Sequence, residues 1–377
     1  MAKLKKTKSA KTATKSKKSY SIDGTAEKFL FQYLNNASPT GFEAEGQKIW
    51  LEYIKPYIDD YQVDHYGTVY GVINPEAPFK VVIEAHADEI SWFVSYISDD
   101  GFISVARNGG SDHIIAPSKR VNIHTKKGIV KGIFGWPAIH LREAAKEATP
   151  SLKNITIDVG AISKKEVEAL GVHVGCVITY EDELMVLNKK YYTGRALDNR
   201  IGGFMIAEIA RMIHDRKSVM PYGLYIVNSV QEEVGLRGAQ MIVERIRPNL
   251  AIVTDVCHDT TTPMIDKKEH GDFKCGRGPV VTYAPAVHNQ VRELILETAE
   301  KNKIPFQRDV ASRTTGTDTD SFAYGAGGVP SALISLPLRY MHTTVETIAK
   351  DDLENVVELI YQTLLKIDTR RSWKYIR

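Results

Sequence analysis

Leu224-Tyr225-Ile226-Val227-Asn228-Ser229-Val230-Gln231-Glu232-Glu233-Val234-Gly235 runs from an apolar strand straight into two adjacent acids. The pattern predicts a buried strand over 223–230 and a helix over 234–246, leaving the acids where strand gives way to helix. Two further segments repeat it. Val81-Val82-Ile83 leads into His86-Ala87-Asp88-Glu89, and Leu250-Ala251-Ile252-Val253 leads into Thr254-Asp255. Open α/β sheets build their sites at such strand ends. The loop segments Ala196-Leu197-Asp198-Asn199-Arg200 and Tyr340-Met341-His342 add a carboxylate and an imidazole. Burying that many carboxylates without compensating cations would cost several kcal/mol apiece. A pair of divalent metal ions removes the difficulty.

Outward from these segments, the periodicity alternates strand with helix. Helices are expected over 25–34, 43–54, 199–214, 288–302 and 351–367, and strands near 60–65, 68–73, 79–85, 250–254 and 330–336. Between Ile90 and Asp182 the texture differs: Phe102-Ile103-Ser104-Val105, Arg120 to His124 and Gly128 to Phe134 are short β pieces between glycine turns. Helical stretches there are expected only near 141–148 and 164–170. A βα rhythm on both sides of a β-rich block means one α/β domain, 19–90 with 185–377, carrying an inserted module at 91–184.

The chain has 377 residues, 43% hydrophobic and 25% charged, the balance of a soluble globular protein of roughly two domains. Its net charge of +3 conceals an asymmetry. The eight lysines of residues 1–18 supply +8 with no acid among them, so the remainder carries −5. That lysine-rich stretch reads as a disordered tail with no apolar core of a secretory signal. It could touch nucleic acid, but it has no interleaved aromatics, and a solvated extension is the plainer reading. No apolar run is long enough to span a membrane. Three cysteines, Cys176, Cys257 and Cys275, form no disulfide framework and imply a reducing, cytoplasmic setting.

Each candidate ligand also has an ordinary structural explanation. His86 could be a satisfied core histidine, although Asp88, two positions on, could orient its ring. Asp198 precedes an expected helix and could be its N-cap, or a carboxylate bridging two cations. Glu232 and Glu233 could favour a helix N-terminus, or divide the tasks of proton acceptor and metal ligand. Asp255 ends its strand beside Cys257 and His258, which are left out of the ligand set. His342 lies in a loop. Jointly, two histidines and three carboxylates at the junctions of one sheet match a two-metal hydrolase with mixed nitrogen and oxygen ligands.

In this order the motifs resemble the tetrahedral aminopeptidases, also called the glutamyl aminopeptidase family, of the co-catalytic di-metal peptidases. The matching pieces are Ser38-Pro39-Thr40-Gly41-Phe42-Glu43, Ala85 to Ile90, Arg195 to Arg200, Gln231 to Ala239, Gly316-Thr317-Asp318, and Arg339 to Thr343. They run from Ser38 towards the C-terminal helix. The resemblance implies a mixed-sheet α/β/α sandwich with an inserted PDZ-like dimerisation domain. By the same resemblance His86 and Asp255 hold one metal, Glu233 and His342 the other, and Asp198 bridges them. Glu232 resembles the general base acting on a metal-bridging water, and Asp88 the residue that orients His86. Gly316, Thr317 and Asp318 match a substrate-binding loop. Two departures stand out: Ser91 where glycine is common, and the Cys257-His258 pair beside a ligand.

The expected activity is removal of N-terminal residues from short peptides, using two divalent cations, zinc first and cobalt or manganese compatible with the same ligands. The resemblance further implies dimers assembling into a homododecamer. A di-metal carboxypeptidase or deacylase of the related family, a glycan hydrolase and a catalytically dead assembly scaffold are the competing readings. Against the first of these, the extra module here falls between His86 and Asp198 rather than after the metal-binding acids.

Overall fold

The computed structural model describes residues 19–143 and 147–376. The lysine-rich stretch 1–18, with its expected disorder, lies outside the described residues. The chain enters through a helix, Gly24–Asn35, capped by the Asp23 carboxylate accepting from the Ala26 N–H at 2.9 Å. It buries Phe29, Leu30, Tyr33 and Leu34. A second helix, Ala44–Ile54, follows, then strands β1 (Asp60–Val63), β2 (Val69–Ile73) and β3 (Lys80–His86).

The next six strands leave this sheet and close on themselves. β4 (Ser91–Ile97), β5 (Ile103–Asn108), β6 (Arg120–Thr125), β7 (Gly128–Gly135), β8 (Thr156–Asp158) and β9 (Val177–Tyr180) form a barrel in the order β4-β5-β8-β7-β6-β9. It encloses an apolar core of its own around Trp92, Val121, Phe134, Ile157 and Ile178, separate from the main one. The main sheet then resumes with β10 (Met185–Leu187), β11 (Tyr191–Gly194), β12 (Gly223–Ser229), β13 (Leu250–His258), β14 (Val280–Tyr283), β15 (Gln307–Val310), β16 (Ser331–Arg339) and β17 (Glu346–Ala349).

That sheet has eleven strands and is mixed. Its centre, β12-β3-β13-β16, is parallel, and antiparallel strands flank it. The four central strands are almost wholly buried, as expected of parallel strands covered on both faces. Alternation along β3 shows the two coverings. Ala85 faces the helix Leu197–Asp215, where a Cβ on Gly202 would come within 2.7 Å of the Ala85 methyl, so glycine permits the close approach. Glu84, one residue back, faces the other way, towards Ser229 and the residue preceding the helix Thr319–Tyr324. The result is a three-layer α/β body. Because its central strands are parallel, their C-terminal ends gather at one edge.

Several expectations need correction. The helix expected over 141–148 does not appear over its described residues; a 3-10 turn at Ile139–Leu141 stands there instead, and 144–146 lie outside the described residues. β13 runs four residues past 254, paired with β16 as far as His258 opposite Leu338. Its apolar signal stops at Val253 because the extension passes beyond the last residue paired with β3 and enters the site.

Candidate metal centre

Three of the predicted residues sit at or just beyond the ends of neighbouring parallel strands, and a fourth, Asp255, lies within β13 past its pairing with β3. His86 is the last residue of β3, level with Ser229 on β12. Asp255 lies two residues past Val253, which pairs with Glu84, and is therefore level with His86 on the next strand. Glu232 and Glu233 occupy a 3-10 turn between β12 and the helix Arg237–Ile246. Asp198 comes from the loop after β11, and His342 from the turn between β16 and β17. Asp198 caps nothing: its φ/ψ of −81°/113° is not helical, and its side chain faces the histidines.

The two oxygens of Asp198 divide between two imidazoles. Oδ1 lies 3.3 Å from His86 Nε2, and Oδ2 lies 3.3 Å from His342 Nε2. His86 Nε2 is also 4.0 Å from Asp255 Oδ1 and 3.9 Å from Glu232 Oε2, while His342 Nε2 is 3.5 Å from Glu233 Oε1. Ligand atoms of His86, Glu232 and Asp255 lie within 4.8 Å of one another, as do those of His86, Asp198 and Glu233. Cys257 and His258 belong to neither group.

These distances surround points between the side chains. Neither ring nitrogen of the buried His86 makes a hydrogen bond. Two atoms bound to one tetrahedral zinc at about 2.1 Å lie about 3.4 Å apart, so the spacing suits the edges of a coordination polyhedron. Charge points the same way. Burial, with Asp255 nearby, raises Glu232 to about 10, and burial also lifts Asp255 well above the carboxylate range. Burial disfavours a charged His342, yet Asp198 and Glu233 outweigh it and lift the ring to about 11. His86 is pushed up against burial by Asp198 and Asp88 in the same way. Acids outnumber bases in this cluster, and divalent cations would balance it.

Asp88 links the parts. Its Oδ1 lies 3.3 Å from His86 Nδ1 and accepts from the Glu232 N–H at 3.0 Å, and its Oδ2 accepts from the Glu233 N–H and the Thr40 hydroxyl. The loop Gly316-Thr317-Asp318 divides: Gly316 is exposed, whereas Thr317 and Asp318 are buried. Asp318 lies beneath the ligands against Glu84 and Ser229, whose hydroxyl is 2.8 Å from Asp318 Oδ2 and 2.6 Å from Glu84 Oε1.

Other participants were not singled out from sequence. Glu43, raised to about 8 by burial and by Asp88, accepts from the N–H groups of Gly41 and Gln231 and ties two site loops together. Glu89 accepts the Ser38 N–H at 2.7 Å and pairs with Arg195. The barrel itself reaches the ligands: a Cβ on Gly110 would lie 2.5 Å from the His342 ring, and one on Gly109 would lie 3.2 Å from Glu233 Cβ. Ser91, the departure noted above, accepts from Asn108 Nδ2 at 2.8 Å and helps hold that turn. Glu43 and Glu89 stand inside the matching motifs and Ser91 is the noted departure, but nothing in the sequence gives them these contacts, and the Gly109-Gly110 turn has no signal beyond its glycines.

The fold and the cluster together have the layout of a hydrolase whose side chains could hold metal ions. The family description "M42 glutamyl aminopeptidase" matches residues 67–359. The lysyl aminopeptidase of Pyrococcus furiosus is 32% identical over 323 residues, covering 85% of this chain and 91% of its own. A TET aminopeptidase from a marine-sediment archaeon of the Thaumarchaeota superposes with a TM-score of 0.87 at 30% identity, over 92% of this chain and 97% of that one. The TET1 peptidase of Pyrococcus horikoshii, described as assembling into a tetrahedron or a large octahedral shell, gives 0.81 at 27% identity, over 91% and 100%. This chain belongs to the M42 glutamyl aminopeptidase family and is a peptide hydrolase of the aminopeptidase kind.

Proposed function

We propose that this chain releases N-terminal residues from short peptides at a two-cation centre. In this reading His86 and Asp255 would hold one divalent ion, Glu233 and His342 would hold a second, and Asp198 would serve both. Zinc suits the ligands first, with cobalt and manganese also compatible. When bound, such ions polarise a carbonyl and make a water acidic enough to attack at neutral pH. Glu232 takes the proton of the attacking water on its carboxylate and delivers it to the departing amine. Asp88 orients His86 and, through two backbone amides, holds Glu232 and Glu233 in register. In the substrate loop the peptide-facing part is Gly316, with Thr317 and Asp318 supporting it from within.

The reading extends to organisation. Residues 19–90 and 185–377 make the catalytic body, and 91–184 a PDZ-like module for dimerisation on the way to a homododecamer. No described helix is long and apolar enough to cross a membrane, and Cys176, Cys257 and Cys275 are free, which suits a cytoplasmic setting. The observation that carries the reading is the split of the Asp198 carboxylate between two imidazoles. It is tested with a free-amine peptide and its N-acetylated twin on metal-free protein refilled with zinc, cobalt or manganese. Hydrolysis of the free-amine peptide alone, and only after refilling, is the expected result. Equal cleavage of the twin would transfer the chain to the carboxypeptidase or deacylase reading.

A further inference from the structure

Behind the ligands lies a carboxylate to which no role has been given. Glu346 opens β17 and is 2% exposed. Both its oxygens receive backbone N–H groups, and the two donors are ligand residues: Oε2 accepts from Asp198 at 3.0 Å and Oε1 from His342 at 2.8 Å. The sheet explains how one side chain reaches both. Glu346 pairs with Gly194 at the end of β11, where the chain departs towards Asp198. Its strand also pairs with Arg339 at the end of β16, where the chain departs towards His342.

Both departing segments adopt backbone that L-residues avoid. Ala196 has φ 59°, Tyr340 φ 62° and His342 itself φ 61°. Such conformations persist where the surroundings over-determine them. We infer that Glu346 is a positioning residue: its carboxylate clamps the two turns together and so sets the spacing of the Asp198 carboxylate and the His342 ring. This rests on the two-cation reading above. The clamp serves the two half-sites unequally. Asp198 and His342 are two of the three ligands assigned to the second cation, whereas His86 and Asp255 of the first stand on β3 and β13, neither of which pairs with the strand of Glu346.

The test is a cobalt titration of metal-free, full-length protein, followed by visible absorption, on wild type and Glu346→Gln. The glutamine keeps the shape but presents an N–H₂ to one of the two amides it should accept from. Wild type should take two cobalt ions per chain. In the variant the first ion should bind within about threefold of wild type and the second at least about thirtyfold more weakly, with an altered spectrum. Peptide KM at saturating cobalt should stay within about threefold of wild type, while kcat recovers as cobalt is raised. Two ions bound with wild-type affinity, or both weakened equally, overturn the clamp. Wild type that binds one ion overturns the two-cation reading itself, which separates the two failures. Hydrogen exchange on metal-free wild type needs no variant: slow Asp198 and His342 amides support the clamp, and fast ones reject it.

Discussion

The two halves of the cluster are built differently. His86 and Asp255 stand level on adjacent parallel strands, both nearly sealed from solvent. Glu233 and His342 stand on turns, and the His342 side chain is 32% exposed. Strand ladders place the first pair directly. The second pair depends on contacts from far along the chain: the Asp88 carboxylate beneath the Glu233 amide, the Glu346 clamp, and the Gly109-Gly110 turn of the barrel against both side chains. A strand end carries a ligand rigidly by itself; a turn carries one only as firmly as its distant supports allow.

That contrast can be broken or sharpened by experiment. Asp198 joins the halves, so Asp198→Ala should remove both cations and lower kcat/KM by about four orders of magnitude. Metal analysis showing one ion retained at full affinity would mean that the halves are independent. Glu232→Ala should lower kcat by about a thousandfold, within the range for general acid–base catalysis, with metal content unchanged. Lost metal would move Glu232 among the ligands.

Gly110→Ala places a methyl against the His342 ring and should reduce kcat/KM by about a hundredfold, the scale of a misplacement near 1 Å. Gly135→Ala on the same barrel meets nothing within 4 Å and should leave the rate unchanged. If the two alanine variants behave alike, the barrel does not support the loop half.

The smallest effect concerns stability without cations. For Glu232, a folded value of about 10 against an ordinary 4.5 stabilises fully below 4.5 and is lost as pH rises through about 10. For His342, about 11 against 6.5, the benefit is full below 6.5 and lost through about 11. Chelated protein should therefore melt progressively earlier as pH rises from about 5 to about 9. Refilling with zinc should raise the melting temperature and flatten the slope, each cation adding about 4 kcal/mol at a thousandfold its Kd. A flat profile in chelator would show that these groups do not share a buried cluster.

Legibility in the sequence follows the same division. The central strands could be read because parallel strands buried on both faces are near-continuous apolar runs, and the ligands following them could be read with them. His342 could be read only jointly with the other candidate ligands, since nothing local distinguishes a loop histidine. Apart from Asp88, the supports were silent. Glu346 is one acid in a polar stretch, and the Gly109-Gly110 turn meets His342 only after the barrel folds back, a contact that no periodicity encodes. Short flanking strands such as Tyr191–Gly194 and Glu346–Ala349, each paired on both sides, take their conformation from pairing rather than from their own composition. Over its described residues the helix expected near 141–148 is absent, and Leu141 among them is left exposed rather than packed.

Anomalous diffraction from crystals of this chain grown with zinc or cobalt tests the central claim most directly. Two peaks per chain are predicted, one between His86 and Asp255 and one between Glu233 and His342, with the Asp198 carboxylate spanning them. A single peak, or peaks away from Asp198, would contradict it.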